Sequence, residues 1–71
     1  MSRTAKEIQN LVFLRRPAVE ARTGLSRSTI YERIKEGTFP APVPLGTKAV
    51  GWIEAEIEEW AEARIAGRKA A

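Results

Sequence analysis

The side chains of this sequence that could do chemistry are cations, hydroxyls and acceptors rather than nucleophiles. Twelve Lys or Arg stand against nine acids, every acid is a glutamate, and neither cysteine nor histidine occurs. Disulfides, zinc ligation by Cys or His and imidazole catalysis are therefore closed to the chain. Glu, Ser, Thr, Lys and one Tyr remain, at no spacing that a covalent or acid–base mechanism demands. The expectation is a protein that is not an enzyme and holds no cofactor, no metal and no small-molecule substrate. The same residues can grip a polyanion. Arg15, Arg16, Arg27, Lys35 and Lys48 supply charges of the kind that bind phosphates, and Arg27, Ser28, Tyr31 and Glu32 form one short run of groups able to meet base edges.

Such groups act only if an element presents them, and the stretch VEARTGLSRSTIYERI, residues 19 to 34, describes one. Val19 and Ala21 offer small apolar groups on a first helix, Gly24 permits the left-handed backbone that ends it, and Leu25 plugs the corner. Ser26 stands where a side-chain oxygen caps the next helix, and Ile30 and Ile34, four residues apart, form its buried stripe. At about 100° per residue, Ser28, Glu32 and Lys35 then point away from that stripe. Arg27 and Tyr31 lie on one flank and Thr29 and Arg33 on the other. An ordinary amphipathic helix pair would share this periodicity, but the order of small apolar residue, Gly, Leu, Ser and paired isoleucines favours a DNA-reading helix-turn-helix.

Pro17 suits a first helical turn, so the first helix is expected over about Pro17 to Thr23. Gly37, followed by Pro40 and Pro42, stops the second near Glu36. The period then changes. Val43 and Leu45 alternate before Gly46-Thr47, and Val50 and Trp52 after it, which predicts a β-hairpin with a Gly-first turn of type II′. Pro44 confines its strand to an edge, and Thr47 and Lys48 make a positive tip. Leu11 to Leu14 reads as a short buried strand or a clamp over the core. From Glu54 the pattern is helical again, with Ile57, Trp60, Ala61, Arg64 and Ile65 at spacings of three and four. Four glutamates at 54, 56, 58 and 59 crowd its start, where the helix dipole favours them. This acidic element should face away from phosphates, with Trp60, like Trp52, a core anchor.

Seventy-one residues suffice for one domain with a thin core. Its expected division is a flexible segment over residues 1–10, where Thr4 and Glu7 could cap a short helix, a domain over 11–66 and a frayed tail over 67–71. The net charge of +3 is unevenly spread: residues 1–53 hold nine cations against four glutamates, and residues 54–71 three against five. The positive part coincides with the helix pair and hairpin, as a nucleic-acid-facing surface requires. No apolar run approaches the roughly 20 residues of a membrane helix, and MSRTAKEIQN lacks the apolar core of a secretion signal. A cytoplasmic, nucleoid-associated protein is expected.

The segments TGLSRSTIY from Thr23, KEGTFPAPVPLG from Lys35, AVGW from Ala49 and EAEIEEW from Glu54 resemble the AlpA family of phage-derived transcriptional regulators. That family is similar in turn to the excisionase and MerR-type DNA-binding domains. The likeness extends over residues 11 to 66 or so. It implies a mostly α fold with a small β-hairpin, a winged helix-turn-helix, in which the helix from Arg27 to Glu36 enters the major groove and the Gly46 hairpin is a wing on the backbone or minor groove. It also implies sequence-specific regulation of prophage or mobile-element genes, integrase genes included, or an excisionase-like architectural role. Two positions depart from the family's pattern: Glu32 stands where a basic residue is common and Arg33 where an apolar one is.

On this reading the partner is double-stranded DNA. Base edges are assigned to Arg27, Ser28, Tyr31 and Glu32, and the DNA backbone to Arg15, Arg16, Ser26, Lys35, Thr47 and Lys48. Arg27 could hold a phosphate or instead read guanine O6 and N7, and Glu32 can accept from cytosine N4, although intrahelical pairing with Lys35 or exclusion of wrong sites ranks above direct readout for it. One such module buries only about 600 to 1,000 Å² on DNA, so a homodimer on paired half-sites or cooperative copies on direct repeats are both compatible. The competing expectation is a protein-interaction module whose basic face docks an acidic partner.

Overall fold

Two glycines and one serine set the limits of the helix pair. In the computed structural model, which describes residues 11–68, helix α1 spans Arg16–Thr23 and helix α2 spans Arg27–Glu36. Pro17 lies in the first turn of α1, where the amide it lacks would have had no intrahelical acceptor. Gly24, at φ 72°, ends α1 and donates its N–H to the Glu20 carbonyl. The Ser26 side chain accepts from the Thr29 amide at 3.2 Å, which starts α2. Gly37, at φ 80°, ends it, with Gly37 donating to the Ile34 carbonyl and Thr38 to that of Arg33, the paired bonds of a Schellman cap.

Three short strands complete the fold with the last helix. Strand β1, Phe13–Leu14, and strand β2, Val43–Pro44, pair antiparallel with opposite sides of the central strand β3, Val50–Ile53, and helix α3 runs Glu54–Gly67. Phe13 lies opposite Ile53 and Leu14 opposite Trp52, while Val43 lies opposite Gly51 and Pro44 opposite Val50. The sheet has β2 at its edge, as a strand containing proline must be. This is a winged helix-turn-helix, mostly α with a small β component. The readings made for residues 1–10, with their Thr4 and Glu7 cap, and for 69–71 lie outside the described residues. No helix among the described residues is long and apolar enough to cross a membrane.

Two local expectations are corrected. Leu45 donates its amide to the Ala49 carbonyl at 2.7 Å, so the hairpin loop has three residues, Gly46 to Lys48, and Gly46 lacks the positive φ that a II′ turn demands. The pairing register decides this: Val43 faces Gly51, and Leu45 reaches over that glycine, its Cδ1 only 2.7 Å from where a Cβ would sit. Ala21 is exposed, and Ala18 packs on the core instead. Ala21 lies two residues beyond the buried Val19, about 200° round the helix, whereas Ala18 is its immediate neighbour.

Leu14, Val19, Ile30, Phe39, Trp52 and Ile57 form the core, with Ala18, Leu25, Ile34, Val50 and Trp60 packed against it. Each large side chain so buried contributes about 1.5–3 kcal/mol, so every one counts in a domain this small. Both tryptophans also satisfy their indole N–H: Trp52 donates to the Pro40 carbonyl at 3.0 Å and Trp60 to that of Thr38 at 2.9 Å. Trp52 is fully buried, while Trp60 closes the edge of the core, edge-on to Phe39 at 5.0 Å between centroids.

Candidate nucleic-acid interface

The Arg27–Glu36 helix turns its isoleucines inward and its polar side out. Ile30 is fully buried and Ile34 partly so, while Arg27, Ser28, Tyr31, Glu32 and Lys35 are all exposed. Tyr31 is nevertheless anchored, because its ring meets Trp52 at 64° with centroids 6.3 Å apart. The Arg27 guanidinium carbon in turn lies 6.0 Å from the centre of the Tyr31 ring, at the limit of cation–π attraction. An aromatic relay thus connects the first residue of α2 to the core.

Beside this relay lies a groove of about 560 Å³ lined by Arg15, Arg16, Arg27, Tyr31 and Lys48, with Pro17 and Val50 as its apolar walls. Three different elements supply its cations. Arg15 precedes α1 and Arg16 opens it, Arg27 opens α2, and Lys48 comes from the hairpin loop. Tight capping of α2 and antiparallel pairing of β2 with β3 bring the two helix starts and the wing tip to one side. Among the described residues no carboxylate lines the groove. Arg16 has one nearby, donating from Nε to Glu20 Oε2 at 2.9 Å along its own helix. A cleft walled by charges of a single sign focuses the potential it presents to an anion.

The expected contact residues fall into four groups. Arg15, Arg16, Arg27, Tyr31 and Lys48 are gathered at the groove. Ser28, Glu32 and Lys35 form a separate exposed line along α2, and Thr47 is exposed next to Lys48 at the tip. No ion pair joins Glu32 to Lys35 among the described residues. Ser26 is occupied locally, accepting from the Thr29 amide and donating to Thr29 Oγ1 at 3.0 Å. Arg33 is half-buried on the far flank, with its Nε enclosed and without a hydrogen-bond partner.

Sequence reasoning missed two features. One is the apolar support of the groove by Trp52, Pro17 and Val50, which individually read as core, helix start and strand residues. The other is Arg22, which bridges α1 to α3 by pairing with Glu54 at 2.9 Å and Glu58 at 3.8 Å. Its only signal is the coincidence of a lone cation late in one helix with an acidic start in another. The pairing offsets part of the α3 charge on the side of the molecule that Arg22 occupies. It also leaves Arg22 engaged with two carboxylates.

A family model described as the Prophage CP4-57 regulatory protein (AlpA) matches residues 12–65. The chain is 56% identical over 57 residues to the uncharacterized protein ORF88 of Enterobacteria phage P4, an alignment covering 80% of this chain and 65% of that protein. It is 49% identical over 57 residues to the DNA-binding transcriptional activator AlpA of Escherichia coli (strain K12), covering 72% of this chain and 81% of that protein. The match to the phage P4 protein thus spans just under two thirds of that relative's length.

Proposed function

This chain belongs to the AlpA family of prophage regulatory proteins, and from that premise we propose that it binds duplex DNA and regulates transcription of prophage or mobile-element genes, integrase genes among them. The observation that carries the reading is the groove in which Arg15, Arg16, Arg27 and Lys48 converge beside the start of α2, with no acid in the lining among the described residues. The α2 helix enters the major groove, so that its exposed line meets base edges, while the Gly46 to Lys48 tip lies along the backbone or minor groove. Arg15, Arg16, Lys35, Thr47 and Lys48 hold the sugar–phosphate backbone. Acidic α3 is turned to solvent or to a second copy, and two or more copies act together because one module covers little DNA.

Titration of labelled duplexes from the gene's own neighbourhood at several salt concentrations tests this. If Arg15, Arg16, Lys35 and Lys48 each contact one phosphate, log affinity falls with log salt with a slope of about −3.6 from these four alone. Affinity indifferent to salt, or no binding to any duplex, overturns the reading. Capture of an acidic protein without duplex binding would identify the basic face as a protein-docking surface instead. A strong bend in bound DNA without any effect on transcription would identify an architectural, excisionase-like role.

A further inference from the structure

Two lines of side chains share the polar side of α2, and they differ in what holds them. Ser28, Glu32 and Lys35 follow one another at intervals of four and three residues and are all exposed. Arg27 and Tyr31 are likewise four apart, but Tyr31 is fastened edge-on to fully buried Trp52. That contact ties this second line to the sheet side of the helix. Arg27, stacked at 6.0 Å over Tyr31, therefore belongs to the wall of the groove it shares with Arg15, Arg16 and Lys48.

The two candidate ligands for Arg27 make opposite demands. To read guanine, its fork must extend from the outermost line of the helix into the floor of the major groove. To bind phosphate, it must stand at the helix edge, where other cations can share the same anion and where a planar guanidinium is held in advance. The geometry meets the second demand. Resting on the DNA reading above, we propose that Arg27 is a backbone-phosphate ligand positioned by Tyr31, and that base discrimination falls to Ser28 and Glu32, while Lys35, at the far end of their line, stays on the backbone. Glu32 is the selective member of the two. A carboxylate pressed toward DNA is repelled by phosphates and is tolerated only where a base amine such as cytosine N4 donates to it; at other sites it stays desolvated and unpaired.

Selection from a random duplex pool, combined with salt titration of the selected duplex, separates these roles. The full chain is compared with its Arg27→Ala, Arg27→Lys and Glu32→Gln variants. Arg27→Ala should weaken every bound duplex by the same factor and reduce the salt slope by about 0.9, leaving the selected sequence unchanged, while Arg27→Lys restores the slope. Glu32→Gln should keep the fold and relax preference at one base pair on the order of tenfold. A changed consensus with an unchanged slope for Arg27→Ala overturns the assignment, as does an unchanged consensus for Glu32→Gln. Failure of the full chain to retain any duplex overturns the DNA reading itself, and the assignment with it.

Discussion

Single side chains in this domain carry either a structural or a surface role, and perturbing them should separate the two. Lys48 protrudes from the wing loop and packs nothing into the core. Replacing it by Ala should leave thermal stability unchanged, weaken binding to all duplexes alike and lower the salt slope by about 0.9, as measured by anisotropy titration. Ser26, also proposed to touch the DNA backbone, has a structural role as well. Its hydroxyl oxygen satisfies the Thr29 amide at the start of α2. Ser26→Ala should therefore cost about 1 kcal/mol of stability in urea unfolding, whatever it does to DNA affinity. A cap of this kind is visible in the sequence because donor and acceptor are three residues apart. Which cations gather at one groove is not visible there, because Arg15 and Lys48 meet only through the sheet.

At the level of elements, the corner between α1 and α2 is the feature on which the presentation of α2 depends. Gly24 holds φ 72° with nothing within 4 Å of where a Cβ would be. Gly24→Ala therefore meets no steric obstacle and carries the backbone penalty alone, about 1–2 kcal/mol. Chemical denaturation should show that loss, and a chain still folded at low temperature should bind DNA with unaltered sequence preference. A loss well above that range would mean that the corner relaxes and α2 changes its tilt. The wing is governed differently. Its three-residue loop follows from the β2–β3 register, itself matched to the small Gly51 beneath Leu45, so no local turn signal at Gly46 and Thr47 could specify it. The Arg22 bridge to Glu54 and Glu58 shows the same limit, since it joins elements that only packing makes neighbours.

The whole molecule rests on very few side chains, and this links its stability to its proposed interface. Domains of this size seldom have more than about 3–5 kcal/mol from a single core, and truncating a buried tryptophan costs about that much. Trp52→Ala should accordingly be largely unfolded at 25 °C by circular dichroism and bind no duplex, because Trp52 anchors the core, bonds Pro40 and supports Tyr31 together. The sequence by itself determined the two helices and their limits, the inward isoleucines, the edge position of Pro44 and the polar line on α2. All of these are decided within a few residues by dihedral preference, capping and the 3.6- and 2-residue periods. Tertiary structure alone decided that Ala18 rather than Ala21 packs inward, how long the hairpin loop is, and that Arg15, Arg16, Arg27 and Lys48 line one groove. Local rules say which face of an element is polar. Which polar faces become neighbours depends on how the elements bury their apolar sides together, and that is settled only when the core around Trp52 closes.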